Sequence, residues 1–137
     1  MIRHQKKDKA FDNALWLNFE HRTTDKEYGV MQSIEHDYLV ILADHPTFVG
    51  EAFEVLPDNY ASLCYDRIAE IFADRNPLWF WEELKGLFSS TNGEILRFVL
   101  AHHIPLEKFI RYELASRGYD NNQHWIGFTN AKKIWLK

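Results

Sequence analysis

Carboxylates at helical spacing form the most regular chemistry-bearing pattern in this chain of 137 residues. Asp66, Glu70 and Asp74 recur every four residues, which puts them in one row on a helix. Glu82 and Glu83 follow on the next predicted helix. Like charges in such a row repel, so the row either faces open water or meets something basic. Beside it, Leu78-Trp79-Phe80-Trp81 sets three aromatics in succession. Consecutive helical residues point about 100° apart, so three of them cannot share one buried stripe. Trp81 continues a stripe with Leu84 and Phe88, while Trp79 and Phe80 look elsewhere. Large aromatics left at a surface are preferred anchors for a partner protein.

Other chemistries are weakly served. His102-His103 falls at a predicted helix end, where the helix dipole favours a cation. There is no His-Glu-x-x-His, Glu-x-x-His or Cys-x-x-Cys, which disfavours zinc and di-iron sites. Glycines stand singly at 29, 50, 86, 93, 118 and 127, so no Gly-rich phosphate loop exists. No Gly-x-Ser-x-Gly is present, and Cys64 has no local support as a nucleophile. Cys64 instead falls on a predicted apolar stripe, as a small buried hydrophobe does. His36-Asp37 is the dipeptide around which HD-type metal-dependent phosphohydrolases are built. Such a site also needs a His upstream and an Asp downstream, and His21 with Asp44 or Asp66 would have to serve. This is a weak signal, so no cofactor is expected and no metal beyond that alternative.

Basic residues gather late. Arg97, Lys108, Arg111, Arg117, Lys132, Lys133 and Lys137 alternate with Tyr112, Tyr119, His124, Trp125 and Trp135. Cations bind phosphates and aromatics stack on unpaired bases, so Arg111, Arg117, Lys132, Lys133 and Trp135 form a nucleic-acid alternative. A pI near 5.9 argues against the whole chain being dedicated to DNA.

Charge is segregated along the chain. From Glu20 to Glu94 there are 15 acidic against 5 basic residues, a net of −10. The first 19 residues carry +2 and the last 43 carry +4, which together give the formal −4. Such segregation bears on partner choice rather than on fold. Apolar residues make up 46% and aromatics 15%, enough to build a core. No apolar run approaches the roughly 20 residues of a membrane helix. One cysteine and no signal-peptide core point to a reducing, cytoplasmic setting.

The elements that must position these residues read as helices. Phe11, Leu15 and Phe19 mark a helix over 10–21. Thr24 and Glu27 form a capping-box pattern, and helical spacing continues through Tyr28, Met31, Ile34, Tyr38 and Ile41. Phe48, Ala52, Val55 and Leu56 mark a short helix over 47–56, and the alternative for 28–56 is a small antiparallel β element. Asp58 opens a helix to about Arg75, and Asn76-Pro77 opens the aromatic one. Thr91 to Glu94 is a second capping box. Pro105 starts a helix that Gly118 stops, and Thr129 caps a last one. The expectation is a single all-α domain over 1–137, a compact bundle of six to eight short helices with a flexible basic arm at 1–9. If 28–56 is β, the class becomes α+β.

These residues point away from an enzyme and toward a small interaction protein: an inhibitor, immunity protein or adaptor. Asp66, Glu70, Asp74, Glu82 and Glu83 would steer a basic partner, which Trp79 and Phe80 would anchor. Nucleic-acid binding and HD-type hydrolysis stand as alternatives. The spare aromatics also leave room for a homodimer.

Overall fold

The computed structural model describes residues 2–45, 56–57 and 60–137. The element order is β1 (Ile2–His4), α1 (Lys7–Glu20), β2 (Tyr28–Gln32), β3 (Tyr38–Leu42), α2 (Tyr65–Ala73), α3 (Trp79–Ser89), α4 (Gly93–Ala101), α5 (Leu106–Arg117) and α6 (Phe128–Trp135). The chain forms two compact units, residues 1–86 and 87–137. Among the described residues, six helices and a three-stranded antiparallel sheet give an α+β mix, which corrects the all-α expectation.

The correction falls on 28–42. Helical and strand periodicities both fit its short apolar runs, and the strands form because Tyr28, Val30, Tyr38, Val40 and Ile41 suit a pleated surface. The sheet is antiparallel in the order β1-β3-β2, with Val30 opposite Val40 and Ile2 on its other side. Residues 33–37 turn the hairpin. There Ser33 N donates to Asp37 O at 2.9 Å, and His36 takes a left-handed φ of 68°. Arg3 on β1 reaches across to Asp37 at 3.0 Å. Thr24 caps no helix; its hydroxyl donates to His21 O and accepts from Lys26 N in a local turn. The short helix read over 47–56 lies outside the described residues, apart from Leu56.

Strand alternation gives the sheet two apolar faces. Val30 and Val40 meet Ala10 and Ala14 of α1, with Phe11, Leu17, Tyr28, Tyr38 and Leu56 around them. Two alanines four residues apart let the helix approach the sheet closely. Met31, Leu39 and Ile41 form a second cluster on the opposite face. Asn18 on α1 clamps β2, accepting from Tyr28 N at 2.6 Å and donating to Tyr28 O at 3.0 Å. The segment read as a basic arm holds β1 and the first turn of α1.

Some helix ends fall close to the sequence reading, but Thr129 does not cap the last helix: α6 begins at Phe128 with Gly127 at its N-cap, which puts Thr129 inside the first turn. Asn92 caps α4, accepting from Glu94 N at 2.8 Å, while the Thr91 hydroxyl donates back to Leu87 O. Gly118 closes α5 with a left-handed φ of 81°. Helix α2 starts at Tyr65 rather than near Asp58, because Cys64 takes the extended N-cap position. Cys64 is therefore exposed, not buried as its apparent stripe implied. No helix among the described residues is long and apolar enough to cross a membrane.

Candidate functional site

Helix α3 sorts its aromatics by angle. Trp81 turns toward Asp12 on α1 and donates its indole N–H to Oδ2 at 3.0 Å. Phe80, about 100° away, stacks on Trp16 with ring centres 5.0 Å apart and planes 18° from parallel. Trp79 meets the same Trp16 edge-on at 5.0 Å, yet stays 57% exposed. Trp16 is itself fixed from the other side, where its indole N–H donates to Glu20 at 2.9 Å. Trp79, Glu82 and Glu83 occupy positions i, i+3 and i+4, so they share one face of α3. All three are exposed. The result is a large rigid ring flanked by two solvated carboxylates.

The row on α2 is less free. Asp66 is exposed. Glu70 lies 3.6 Å from Arg67 on its own helix. Asp74 sits at the C-terminus of α2, where Lys9 of α1 approaches to 2.9 Å and Asn76 N donates at 2.9 Å. These contacts, the Lys9 hydrogen bond foremost, hold the Asp74 carboxyl below the usual carboxylate range. Of the seven sequence-nominated residues, the structure brings Trp79, Glu82 and Glu83 onto one open face. It turns Phe80 inward and ties Asp74 to α1.

Asp12 was not legible as special in the sequence. It is only 3% exposed, and its partners lie 48, 55 and 69 residues away. The Tyr60 hydroxyl donates to Oδ1 at 2.6 Å, and Arg67 and Trp81 both donate to Oδ2. Burial raises the Asp12 carboxyl above its ordinary range, against the opposing pull of these donors. The same burial and the adjacent carboxylate push the Tyr60 phenol up. A cleft of about 600 Å³ opens here, lined by residues including Arg3, Lys6, Lys9, Arg67, Asp74 and Trp81. Its charges largely cancel: Arg67 pairs with Asp12, Asp8 and Glu70, and Lys9 with Asp74. Both Asp12 oxygens accept from protein donors. Its chemistry is that of a polar tie joining α1, Tyr60, α2 and α3, not of a poised base.

The alternatives rest on other residues. His36 is in the hairpin turn, not on a helix, and Asp37 is engaged by Ser33 and Arg3. The described residues contain no group of three or more His, Cys, Asp or Glu fit to hold a metal ion. In the C-terminal unit, Arg111 pairs with Glu107 and Arg117 with Glu113, each at 3.2 Å. Trp135 spends its indole N–H on Tyr119 O at 2.8 Å. Lys132 and Lys133 are exposed on α6.

No protein-family model matches this chain, and neither a curated protein nor a solved structure is similar enough to count as a relative.

Proposed function

We propose that the chain is a small non-enzymatic interaction protein, an inhibitor, immunity protein or adaptor, that occludes a basic surface on a partner protein. The observation that carries this reading is Trp79. It is more than half exposed, and tryptophan is among the residues enriched as anchors at protein interfaces. Here it is braced by Trp16 and flanked by Glu82 and Glu83 on one helix face. A braced ring loses little entropy on binding, and rim carboxylates speed encounter with a cationic surface. Asp66 and Glu70 on α2 add to the acidic field. A reducing cytoplasmic setting goes with this reading, since Cys64 is the single cysteine.

The test uses wild type, Trp79→Ala and Glu82→Lys/Glu83→Lys as baits against proteins of the native cell. Captured proteins are cross-linked and their contacts mapped. A partner joined through a basic patch to α3, and lost by both variants, is the expected outcome. Capture unchanged by both variants would overturn the proposal.

A further inference from the structure

Cations of this chain sit on several of its aromatic rings, but not on the ring that is most open on α3. Lys85 Nζ lies 5.7 Å from the centre of the Phe72 ring and donates to Phe72 O at 3.0 Å. Arg22 lies 4.3 Å from the centre of the Phe19 ring and donates to Phe19 O at 2.8 Å. Among the described residues no cation lies over Trp79, although that ring is 57% exposed.

Glu82 and Glu83 are open in the same way. Glu94, Glu107 and Glu113 each pair with an arginine on their own helix. Glu82 and Glu83 have no hydrogen bond or ion pair among the described residues. Lys85, three residues on from Glu82, is committed to Phe72. The compact unit that holds them, residues 1–86, carries 16 acidic against 9 basic residues, a net of −7. Two uncompensated negative charges therefore stand beside an open ring in a negative field.

This combination selects a cation, and one cation above others. The face of an aromatic ring attracts a positive group, that of tryptophan most strongly. The Cβ atoms of Glu82 and Glu83 each stand about 5–6 Å from that of Trp79. A cationic group laid on the ring is thus within reach of both carboxylates. A guanidinium serves both contacts at once: it is flat, so it stacks, and its N–H donors lie in its plane, where carboxylates can accept them. An ammonium is a compact and strongly hydrated point, and gives up more water for the same contacts. A neutral apolar group would desolvate the carboxylates without pairing them.

We infer that the α3 face seats one arginine side chain of its partner, with the guanidinium stacked on Trp79 and held by Glu82 and Glu83. This rests on the reading of α3 as the partner-binding face and adds the group that the face recognises.

An NMR titration of the full chain tests it, with an acetylated Gly-Arg-Gly-Arg-Gly amide and its lysine and citrulline counterparts as probes. Citrulline keeps the shape of arginine and lacks its charge. The arginine peptide should bind at about 1 mM, shifting the Trp79 indole signal and the Glu82 and Glu83 amides. The lysine peptide should bind about threefold more weakly or worse, and the citrulline peptide should not bind. Trp79→Ala and Glu82→Gln/Glu83→Gln should each weaken arginine binding about tenfold, with unchanged circular dichroism spectra. No shift at Trp79 up to about 10 mM peptide would overturn the inference, as would lysine or citrulline peptides that bind as well as the arginine one. A partner captured through α3 whose mapped contact holds no arginine would overturn it too, while leaving the interaction reading in place. Arginine binding at Trp79 with no protein captured would uphold the arginine site and count against the interaction reading alone.

Discussion

Trp16 touches both Trp79 and Phe80, edge-on to the first and stacked on the second, with ring centres 5.0 Å away in each case. One residue of α1 therefore sets the direction of two neighbours on α3. It sends Phe80 inward and leaves Trp79 held but open.

The two tryptophans should differ in what they do for stability. Trp79→Ala removes a mostly exposed ring and one edge contact, a loss of about 1 kcal/mol. Trp16→Ala removes the ring on which both neighbours rest and should cost about 3 kcal/mol. Urea denaturation of each variant checks this. Equal losses would mean that Trp16 braces nothing.

Asp12 should be the most sensitive polar position. Asp12→Ala leaves the Arg67 guanidinium, the Tyr60 hydroxyl and the Trp81 indole N–H without their shared acceptor. Losing one member of a buried pair costs about 3–5 kcal/mol, a large part of the stability of an ordinary domain. Asp12→Asn reports the sign of the pH effect. The folded Asp12 carboxyl binds its proton more tightly than the unfolded one. Its stabilising contribution is present below the unfolded value near ~4 and is lost as pH rises through the folded value. The stability of Asp12→Asn relative to wild type should therefore increase between pH 4 and pH 7. Chemical denaturation at the two pH values measures it, and a constant or falling difference would contradict the buried assignment.

Lys9 and Asp74 work in the opposite sense. The folded Asp74 carboxyl is held below its usual range, so its contribution is present above ~4 and is lost as pH falls through the depressed value. Lys9→Ala should cost about 0.5–1 kcal/mol near neutrality, as befits a partly exposed pair. That cost should shrink in acid toward what the Lys9 bond to Asn76 O supplies. Thermal melts of both proteins across the acid range test this, and a cost independent of pH would show that the Asp74 carboxylate contributes nothing to the effect of Lys9.

Gly118 should tolerate no side chain. Its φ of 81° lies in the left-handed region, and a Cβ there would run into the Trp125 ring. Trp125 meets Tyr119 and Phe128 edge-on, at 5.4 and 5.3 Å, so moving it aside would give up both ring contacts. Gly118→Ala should cost about 2 kcal/mol or more. Hydrogen exchange should place the loss in α5 and α6, and protection equal to wild type there would contradict it.

Local signals carried the helix ends. Gly118 ends α5 because only glycine takes that φ without strain, and Asn92 caps α4 because a short side-chain acceptor can reach a first-turn N–H. The hairpin at 28–42 was ambiguous, since apolar runs of five residues satisfy both periods. Cys64 misled for a related reason: a helix drawn too long put it on a stripe that begins only after it. The acidic row at 66, 70 and 74 was legible as spacing, but the Lys9 contact that ties down Asp74 is a tertiary one. Asp12 left no mark, because its donors come from three distant segments and no local spacing encodes their meeting. Trp79 was legible as a surplus aromatic, and Trp16, which orients it, was not.

Association kinetics between the chain and the partner captured through α3, measured across ionic strength, test the central claim most directly. Trp79→Ala should speed dissociation about 30-fold, the size of an interface hot spot. Glu82→Lys/Glu83→Lys should slow association and weaken or invert its salt dependence. Rate constants indistinguishable among wild type and both variants would contradict a binding role for this face.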